Sequence, residues 1–370
     1  MPYLFICIVL LLFSCGNNPS EKKTAAPPVP AGTPKENIKY VNGIKIETPA
    51  KQENFRFHDP VNLSFTAKER FDVDSAHIFL NGKQIGTTGK GIQTFSFTVP
   101  TSKVGPSTLK VTVFHPDNKR SISTQTIVVK PDKAPRKYTY DVVKTYTHDP
   151  KAYTQGLVYQ DGFLYESTGQ YGESGIRKTD MNTGKILSTL NIDSKFFGEG
   201  ITIYKDKIYQ LTWTSRKGFI YDVKSFSLES TFNYNTQGWG ITTMGEKLIM
   251  SDGSNKLFHI APSSFNVIKE TEVYDNNGPV DRLNELEYID GLIWANVWMQ
   301  DRVVLIDPES GEIKGEIDLS RILSPNERNN LGDSDNVLNG IAWNPGKKTV
   351  YVTGKRWPKM FELKIRGQAK

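Results

Sequence analysis

Glu199-Gly200-Ile201-Thr202-Ile203-Tyr204-Lys205-Asp206-Lys207-Ile208-Tyr209-Gln210-Leu211-Thr212-Trp213 is the stretch that decides the fold. It reads as a short strand, a turn at Asp206-Lys207 and a second strand. The unit recurs. Its first strand returns as Gln155-Gly156-Leu157-Val158, Trp239-Gly240-Ile241-Thr242, Asn284-Glu285-Leu286-Glu287 and Asn339-Gly340-Ile341-Ala342. From Gln155 onward the starts are spaced by 44, 40, 45 and 55 residues. Second strands follow at Phe163-Leu164-Tyr165, Leu248-Ile249-Met250, Leu292-Ile293-Trp294 and Val350-Tyr351-Val352, and four copies add a third and fourth strand. Four strands per period of about 45 residues is the signature of a propeller blade. The expected fold is therefore all-β, with a five-bladed β-propeller over 138–370. The last copy stops after three strands, at Phe361–Ile365. Tyr138–Lys144, ahead of the first copy, is expected to supply the missing outer strand and close the ring.

In such a ring the first strands line the central channel. Gln155, Glu199, Trp239, Asn284 and Asn339 then share one channel mouth. The ends of the second strands bring Gly169, Trp213, Gly253, Trp298 and Lys355 to it, with Tyr153 and Phe197 at its border. This set combines a carboxyl, amides, an amine and indoles. An apolar wall with a few convergent polar groups describes a binding pocket. A water-bridged polar channel is the plainer alternative, and it leaves the three tryptophans unexplained.

Upstream the pattern changes. Val61–Phe65, Phe95–Val99, Leu109–Val113 and Ile122–Ile127 alternate with period two. Asn81-Gly82 divides Ile78–Leu80 from Lys83–Ile85 as a hairpin turn. About seven strands over 44–130 indicate a small immunoglobulin-like β-sandwich preceding the propeller. It shows no catalytic constellation, so a spacing or binding role is expected. Pro131–Arg136 reads as a stiff linker. Residues 16–43 are polar and proline-rich and read as a flexible tether. Residues 1–15 hold an apolar run, Tyr3–Phe13, too short to span a bilayer, ending at Leu12-Phe13-Ser14-Cys15. This resembles a bacterial lipoprotein signal with Cys15 as the lipidated residue; a plain secretory signal is the alternative. The expectation is export, with a lipid anchor in the bacterial cell envelope. The two cysteines, Cys7 and Cys15, both fall here. Processing at Cys15 leaves none for a disulfide or a zinc site. The net charge of +6 is spread among mixed charges, which excludes a nucleic-acid footprint.

Seven motifs in order, Tyr153-Thr154-Gln155-Gly156-Leu157, Phe197-Gly198-Glu199-Gly200, Leu211-Thr212-Trp213, Gly238-Trp239-Gly240, Leu283-Asn284-Glu285-Leu286-Glu287, Ala295-Asn296-Val297-Trp298 and Thr353-Gly354-Lys355-Arg356-Trp357, resemble the glutamine cyclotransferase family of plants and bacteria. The resemblance spans about 138–365 and leaves the sandwich outside. Tyr153 stands where the family often has Phe. The resemblance implies a glutaminyl-peptide cyclotransferase, an acyltransferase that converts N-terminal glutamine of peptides or exported proteins to pyroglutamate and releases ammonia. It implies no cofactor and no metal. It also implies Glu199 as proton shuttle, with Lys355, Asn284 and Gln155 orienting the amide. Trp213, Trp239, Trp298, Phe197 and Tyr153 would form walls, and Asn339 would complete the substrate-binding set. A structural ion pair of Glu199 with Lys355 is the competing role for that carboxyl. Two rivals stay open on residues alone. A calcium-dependent lactonase-like propeller would use Glu199, Asn284 and Asn339 as oxygen ligands. A non-enzymatic propeller would bind a peptide or glycan. The insertion Asn326–Asn336, which lengthens the last interval, is expected to border the pocket.

Overall fold

The computed structural model describes residues 38–368, so the expectations for Cys7, Cys15 and most of the tether lie outside the described residues. Nine strands come first: β1 (Lys39–Tyr40), β2 (Ile44–Thr48), β3 (Asn54–Arg56), β4 (Pro60–Ala67), β5 (Ser75–Leu80), β6 (Lys83–Thr88), β7 (Thr94–Thr98), β8 (Gly105–His115) and β9 (Lys119–Lys130). They form a six-stranded sheet, β1-β9-β8-β5-β6 with β3 also on β9, and a three-stranded sheet, β2-β4-β7. Alternation explains the packing. Leu63 and Phe65 of one sheet meet Ile78, Leu109, Val111 and Val113 of the other in one core, while the intervening residues are exposed or half-buried. Asn81 and Gly82 both adopt positive φ, 50° and 82°, in the β5–β6 turn, as the Asn-Gly pair predicts.

β10 (Arg136–Thr147) leads into the propeller. Blade 1 is β11 (Thr154–Gln160), β12 (Phe163–Thr168), β13 (Gly175–Asp180) and β14 (Ile186–Asn191). Blade 2 is β15 (Gly198–Tyr204), β16 (Lys207–Thr212), β17 (Lys217–Asp222) and β18 (Leu228–Asn233). Blade 3 is β19 (Ile241–Met244), β20 (Lys247–Ser251), β21 (Lys256–Ile260) and β22 (Val267–Glu272). Blade 4 is β23 (Leu283–Ile289), β24 (Leu292–Val297), β25 (Arg302–Ile306) and β26 (Ile313–Asp318). A short helix, α1 (Pro325–Asn329), follows, then β27 (Leu338–Asn344), β28 (Thr349–Gly354) and β29 (Lys359–Gln368). Each of these blades is an antiparallel meander. The fifth is completed by β10, antiparallel to β29 from Thr139↔Arg366 to Thr147↔Lys359. The start of β10 also pairs in parallel with β26, so blades 4 and 5 join in one eight-stranded sheet. The segment ahead of the first repeat thus closes the ring, as the truncated last copy requires.

A single blade leaves both faces of its sheet bare, and the sequence answers with apolar residues at successive positions of the second strands. Ile208 packs toward blade 1 and Tyr209 toward blade 3. Leu248 and Ile249 divide in the same way between blades 2 and 4, and Val350 and Tyr351 between blades 4 and 1. One apolar cluster fills each of the five gaps between blades.

At the seam between blades 5 and 1 the fill is ionic as well. His148, just past β10, contacts Glu166 at 2.9 Å, and Arg177 Nε donates to the same carboxylate at 2.7 Å. Arg177 also pairs with Asp149 at 2.8 Å. Burial alone would raise Glu166, but His148 and Arg177 outweigh it and hold the carboxyl far below its usual range. Burial likewise disfavours the His148 cation, and Glu166 overturns that and raises it.

The sandwich seats on the rim of the ring. Tyr274, after blade 3, enters a cluster with Phe57, Val104, Ile127 and Val129. Val104 N donates to Ser310 O at 2.9 Å, and Arg56 Nη1 donates to Asn276 O at 3.0 Å.

Candidate active site

The inner strands are forced close together, and this places the site. A Cβ at Gly240 would lie 2.0 Å from Asn284 O, and one at Gly200 2.7 Å from Trp239 O. Only glycine permits that approach. The next blade's copies show what happens at the mouth. Strand pairing is interrupted by register shifts between Thr154 and Gly156, Gly198 and Ile201, Leu283 and Leu286, and Leu338 and Ile341. Each irregularity spans the predicted site residue of its blade. Bulges re-aim side chains that a regular strand would alternate. A second device fixes the rim. In four of the five blades, blade 3 being the exception, the residue past the second strand donates its N–H to the carbonyl two residues before the inner-strand position. These bonds are Gly169 to Tyr153 (2.8 Å), Trp213 to Phe197 (3.0 Å), Trp298 to Arg282 (2.8 Å) and Lys355 to Val337 (2.9 Å).

The result is a cavity of about 240 Å³ lined by Tyr153, Gln155, Gln170, Phe197, Glu199, Trp213, Trp239, Asn284, Trp298, Asp335 and Lys355. Larger clefts of about 670 and 640 Å³ lie on either side of β10, against blade 4 and against blade 1, lined mainly by charged and polar side chains. Of these three, the small cavity joins aromatic walls to convergent polar groups. Trp239 and Trp298 meet edge to face at 5.7 Å and 88°, and Phe197 touches Trp213 at 5.6 Å and Tyr153 at 6.0 Å. Glycine makes room for these rings. A Cβ at Gly169 would meet Phe197 at 2.4 Å, and one at Gly253, whose φ is 83°, would meet Trp239 at 2.5 Å.

Glu199 is 4% exposed at the base of this aromatic enclosure. Burial pushes its carboxyl well above the ordinary range; Lys355 opposes the shift and Asp335 adds to it. Lys355 is equally buried, and burial pulls its amine down against the upward pull of Asp335 and Glu199. Its ion pair is with Asp335, at 3.7 Å, and it donates to Tyr153 Oη at 3.2 Å. Among the described residues no salt bridge joins Lys355 to Glu199, so the competing structural pairing is not formed. Asn284 Oδ1 is buried without a protein partner, a free acceptor at the cavity wall.

Of the predicted set, one residue stands elsewhere. Asn339 does not line the cavity. Its Nδ2 donates to Thr154 O and to Gln155 Oε1, both at 3.0 Å. Because Thr154 O only accepts, the amide group facing it is the NH₂, and the Gln155 atom beside it is therefore the oxygen. Gln155 is left to present Nε2 to the cavity as a donor. The adjacent Gly340, at φ 123°, turns the chain there. Asn339 thus holds a pocket residue and does not itself line the cavity.

Three participants escaped the repeat alignment. Asp335 comes from the insertion ahead of blade 5 and accepts from Trp298 Nε1 at 2.9 Å. Gln237 lies behind the wall and accepts from both Trp213 Nε1 (2.7 Å) and Trp239 Nε1 (2.9 Å). Gln170 follows Gly169 at the rim. Beneath the cavity, Glu285 occupies the position that is glycine in the other four copies. Its carboxyl crosses the axis to accept from Leu157 N (3.2 Å) and Ile341 N (2.8 Å). Among the described residues no group of three or more His, Cys, Asp or Glu side chains is arranged to hold a metal ion.

Comparison with known proteins agrees with this geometry. The glutamine cyclotransferase family model matches residues 117–365, beginning inside the sandwich and running to the last strand. Glutaminyl-peptide cyclotransferase of Arabidopsis thaliana is 40% identical over 228 residues, 61% of this chain and 71% of the plant protein. The crystal structure of Myxococcus xanthus glutaminyl cyclase superposes with a TM-score of 0.59 at 32% identity, covering 64% of this chain and 100% of that one. With the family model matching well over half of its length, this chain belongs to the glutamine cyclotransferase family.

Proposed function

We infer that the chain is a glutaminyl-peptide cyclotransferase, which closes N-terminal glutamine of a peptide or protein to pyroglutamate with release of ammonia. The observation that carries this is Glu199, a buried carboxyl with a raised pKa, in an aromatic cavity with Lys355, Asn284 and Gln155. The α-amine attacks the γ-carboxamide carbon of its own residue, so the site has chiefly to select the near-attack conformer. Trp213, Trp239, Trp298 and Phe197 offer flat walls for the uncharged side chain. Glu199 takes a proton from the attacking nitrogen and returns it to the leaving nitrogen, a task suited to a carboxyl whose pKa is raised by burial. Lys355 Nζ and Gln155 Nε2 are the donors for the developing oxyanion, and Asn284 Oδ1 is an acceptor for an amine N–H.

The test is ammonia release from a Gln-initiated dipeptide, with pyroglutamate followed by mass, in the presence and absence of excess chelator. Equal ammonia release in both supports the reading. Activity lost on chelation would favour the calcium-dependent lactonase-type reading, and no ammonia in either would leave a binding propeller.

We also propose that 1–15 is a lipoprotein-type signal ending at Cys15 and that the tether expected over 16–43 ends at β1 (Lys39–Tyr40), which pairs with β9 of the sandwich. The sandwich, 44–130, would be an immunoglobulin-like spacer that holds the catalytic propeller, 138–370, off the bacterial envelope. The support is the apolar run before Cys15 and the proline-rich segment after it. Cys15→Ala should move the protein from the membrane to the soluble fraction; unchanged membrane association would overturn the anchor.

A further inference from the structure

Asp335 is the carboxylate that reaches the cavity from outside the repeat. The insertion that carries it is firmly held. Helix α1 is capped by Ser324 and Glu327, and Glu327 also pairs with Lys359. Arg328 pairs with Asp301 at 3.1 Å, and Trp357 Nε1 donates to Asn336 O at 2.9 Å. From this anchored loop the Asp335 carboxylate meets three walls of the cavity together. Oδ1 accepts from Trp298 Nε1 of blade 4, Oδ2 accepts from Tyr153 Oη of blade 1, and Lys355 Nζ of blade 5 lies 3.7 Å away. The triangle is closed by Lys355 Nζ donating to Tyr153 Oη at 3.2 Å and lying 4.7 Å above the Tyr153 ring.

We propose that Asp335 is a positioning residue for the cyclisation, holding Lys355 as an aimed ammonium at the γ-carboxamide and making the insertion ahead of blade 5 part of the active site. The inference rests on the cyclotransferase reading above. A buried ammonium needs a counter-charge, because burial favours the neutral amine. The charged and titratable groups around Lys355 are Glu199 of blade 2, Tyr153 of blade 1 and Asp335 of the loop, with Asp333 acting on Tyr153 and Arg356 next in the chain. Arg356 is engaged with Glu173 at 3.4 Å. Glu199 is held toward its neutral form and is needed for proton traffic, and Tyr153 is pushed further from ionisation by burial and by Asp335. Asp335 is the carboxylate in contact with the amine. The tyrosine hydroxyl is the device that links the two, at a position where the family often carries phenylalanine.

The experiment is the pH profile of kcat for Asp335→Asn on a Gln-initiated peptide, beside wild type. Wild-type ammonia release establishes the cyclotransferase reading independently; its absence would sink that reading and not this one alone. The variant keeps an oxygen for the Trp298 indole. Expected are a fall in kcat of about 10- to 100-fold, a change in KM of less than about threefold, and an alkaline limb displaced to lower pH, since Lys355 sheds its proton sooner. Wild-type kcat and an unmoved limb would overturn the proposal. So would a lower kcat with an unmoved limb, which a merely structural role would give. If Asp335→Asn fails to fold, Tyr153→Phe removes only the bridging hydroxyl. It should move the alkaline limb the same way by less, and an unmoved limb there would overturn the proposal as well.

Discussion

The sandwich and the propeller fill their buried strands differently. On β8 of the sandwich, Leu109, Val111 and Val113 point inward, and the residues between them are only partly buried. The innermost propeller strands bury Gln155, Glu199, Asn284, Glu285 and Asn339 to 4% exposure or less. A buried polar group without a partner costs stability, so a fold retains it for partner bonds or for chemistry. The sandwich is optimised for packing. The propeller axis gives up packing to hold polar groups out of water, where their pKa values move and their hydrogen bonds strengthen.

The sharpest way to break that contrast is Glu199→Gln. The substitution is nearly isosteric and removes only the exchangeable proton. Turnover should fall by about 10²–10⁴-fold, while the unfolding midpoint stays or rises, because a carboxyl with a raised pKa destabilises the fold when ionised. Retained turnover in the ammonia assay would show that no proton passes through this carboxyl.

Next in size is the ionic seam. Glu166→Gln leaves His148 without its anion and Arg177 with Asp149 alone, and should cost about 3–5 kcal/mol in urea unfolding. The pH dependence follows from the two shifts. Glu166, depressed in the fold, stabilises above its unfolded value of 4.5, and this is lost as pH falls through its depressed folded value. His148, raised in the fold, contributes in full below its unfolded value of 6.5, and this fades as pH rises through its folded value. Wild type and variant should differ most between about pH 5 and 6. A pH-independent gap would mean the seam is held by packing alone.

The complementary cut is Ile78→Ala in the sandwich, fully buried in an apolar core. It should cost about 2–5 kcal/mol and leave kcat/KM unchanged within about twofold. A large loss of activity from this site would erase the division of labour between the two regions.

What the sequence made legible follows the same line. Period and turns were enough to assign five blades, and the truncated last copy was enough to expect β10 in its place. Equivalent positions located Glu199, Asn284, Lys355 and the indoles, because backbone repeats place Cα atoms alike. They do not aim side chains, which is why Asn339 was expected in the cavity and lies behind Gln155. Alignment also cannot find residues without counterparts. Asp335 sits in the insertion that only the last interval carries; Gln237 does align, two residues before Trp239 as Phe197 is before Glu199, but its residue type gives no sign of the two indoles it holds. Glu285 carried a readable signal, the one non-glycine at a glycine position, whose meaning needs the axis to be seen in three dimensions.

Glu287, two residues further along the same strand, gives the finest test. Its Oε1 accepts from Trp343 N at 2.9 Å and its Oε2 from Thr242 Oγ1 at 3.2 Å, and burial pushes its carboxyl up to about 7. Against an unfolded value of 4.5, the folded protein holds an extra proton between these limits, so stability falls as pH rises from about 4.5 to about 7. A glutamine there keeps an oxygen for Trp343 N and offers an N–H to Thr242, without a charge to bury. Glu287→Gln should therefore stabilise by about 1–3 kcal/mol at pH 8 and by almost nothing at pH 5. Thermal unfolding at the two pH values measures the difference. A variant no more stable than wild type at pH 8 would show that the two hydrogen bonds fully compensate the buried charge. The polar axis would then match the sandwich core in stability, and the contrast between the regions would be one of chemistry alone.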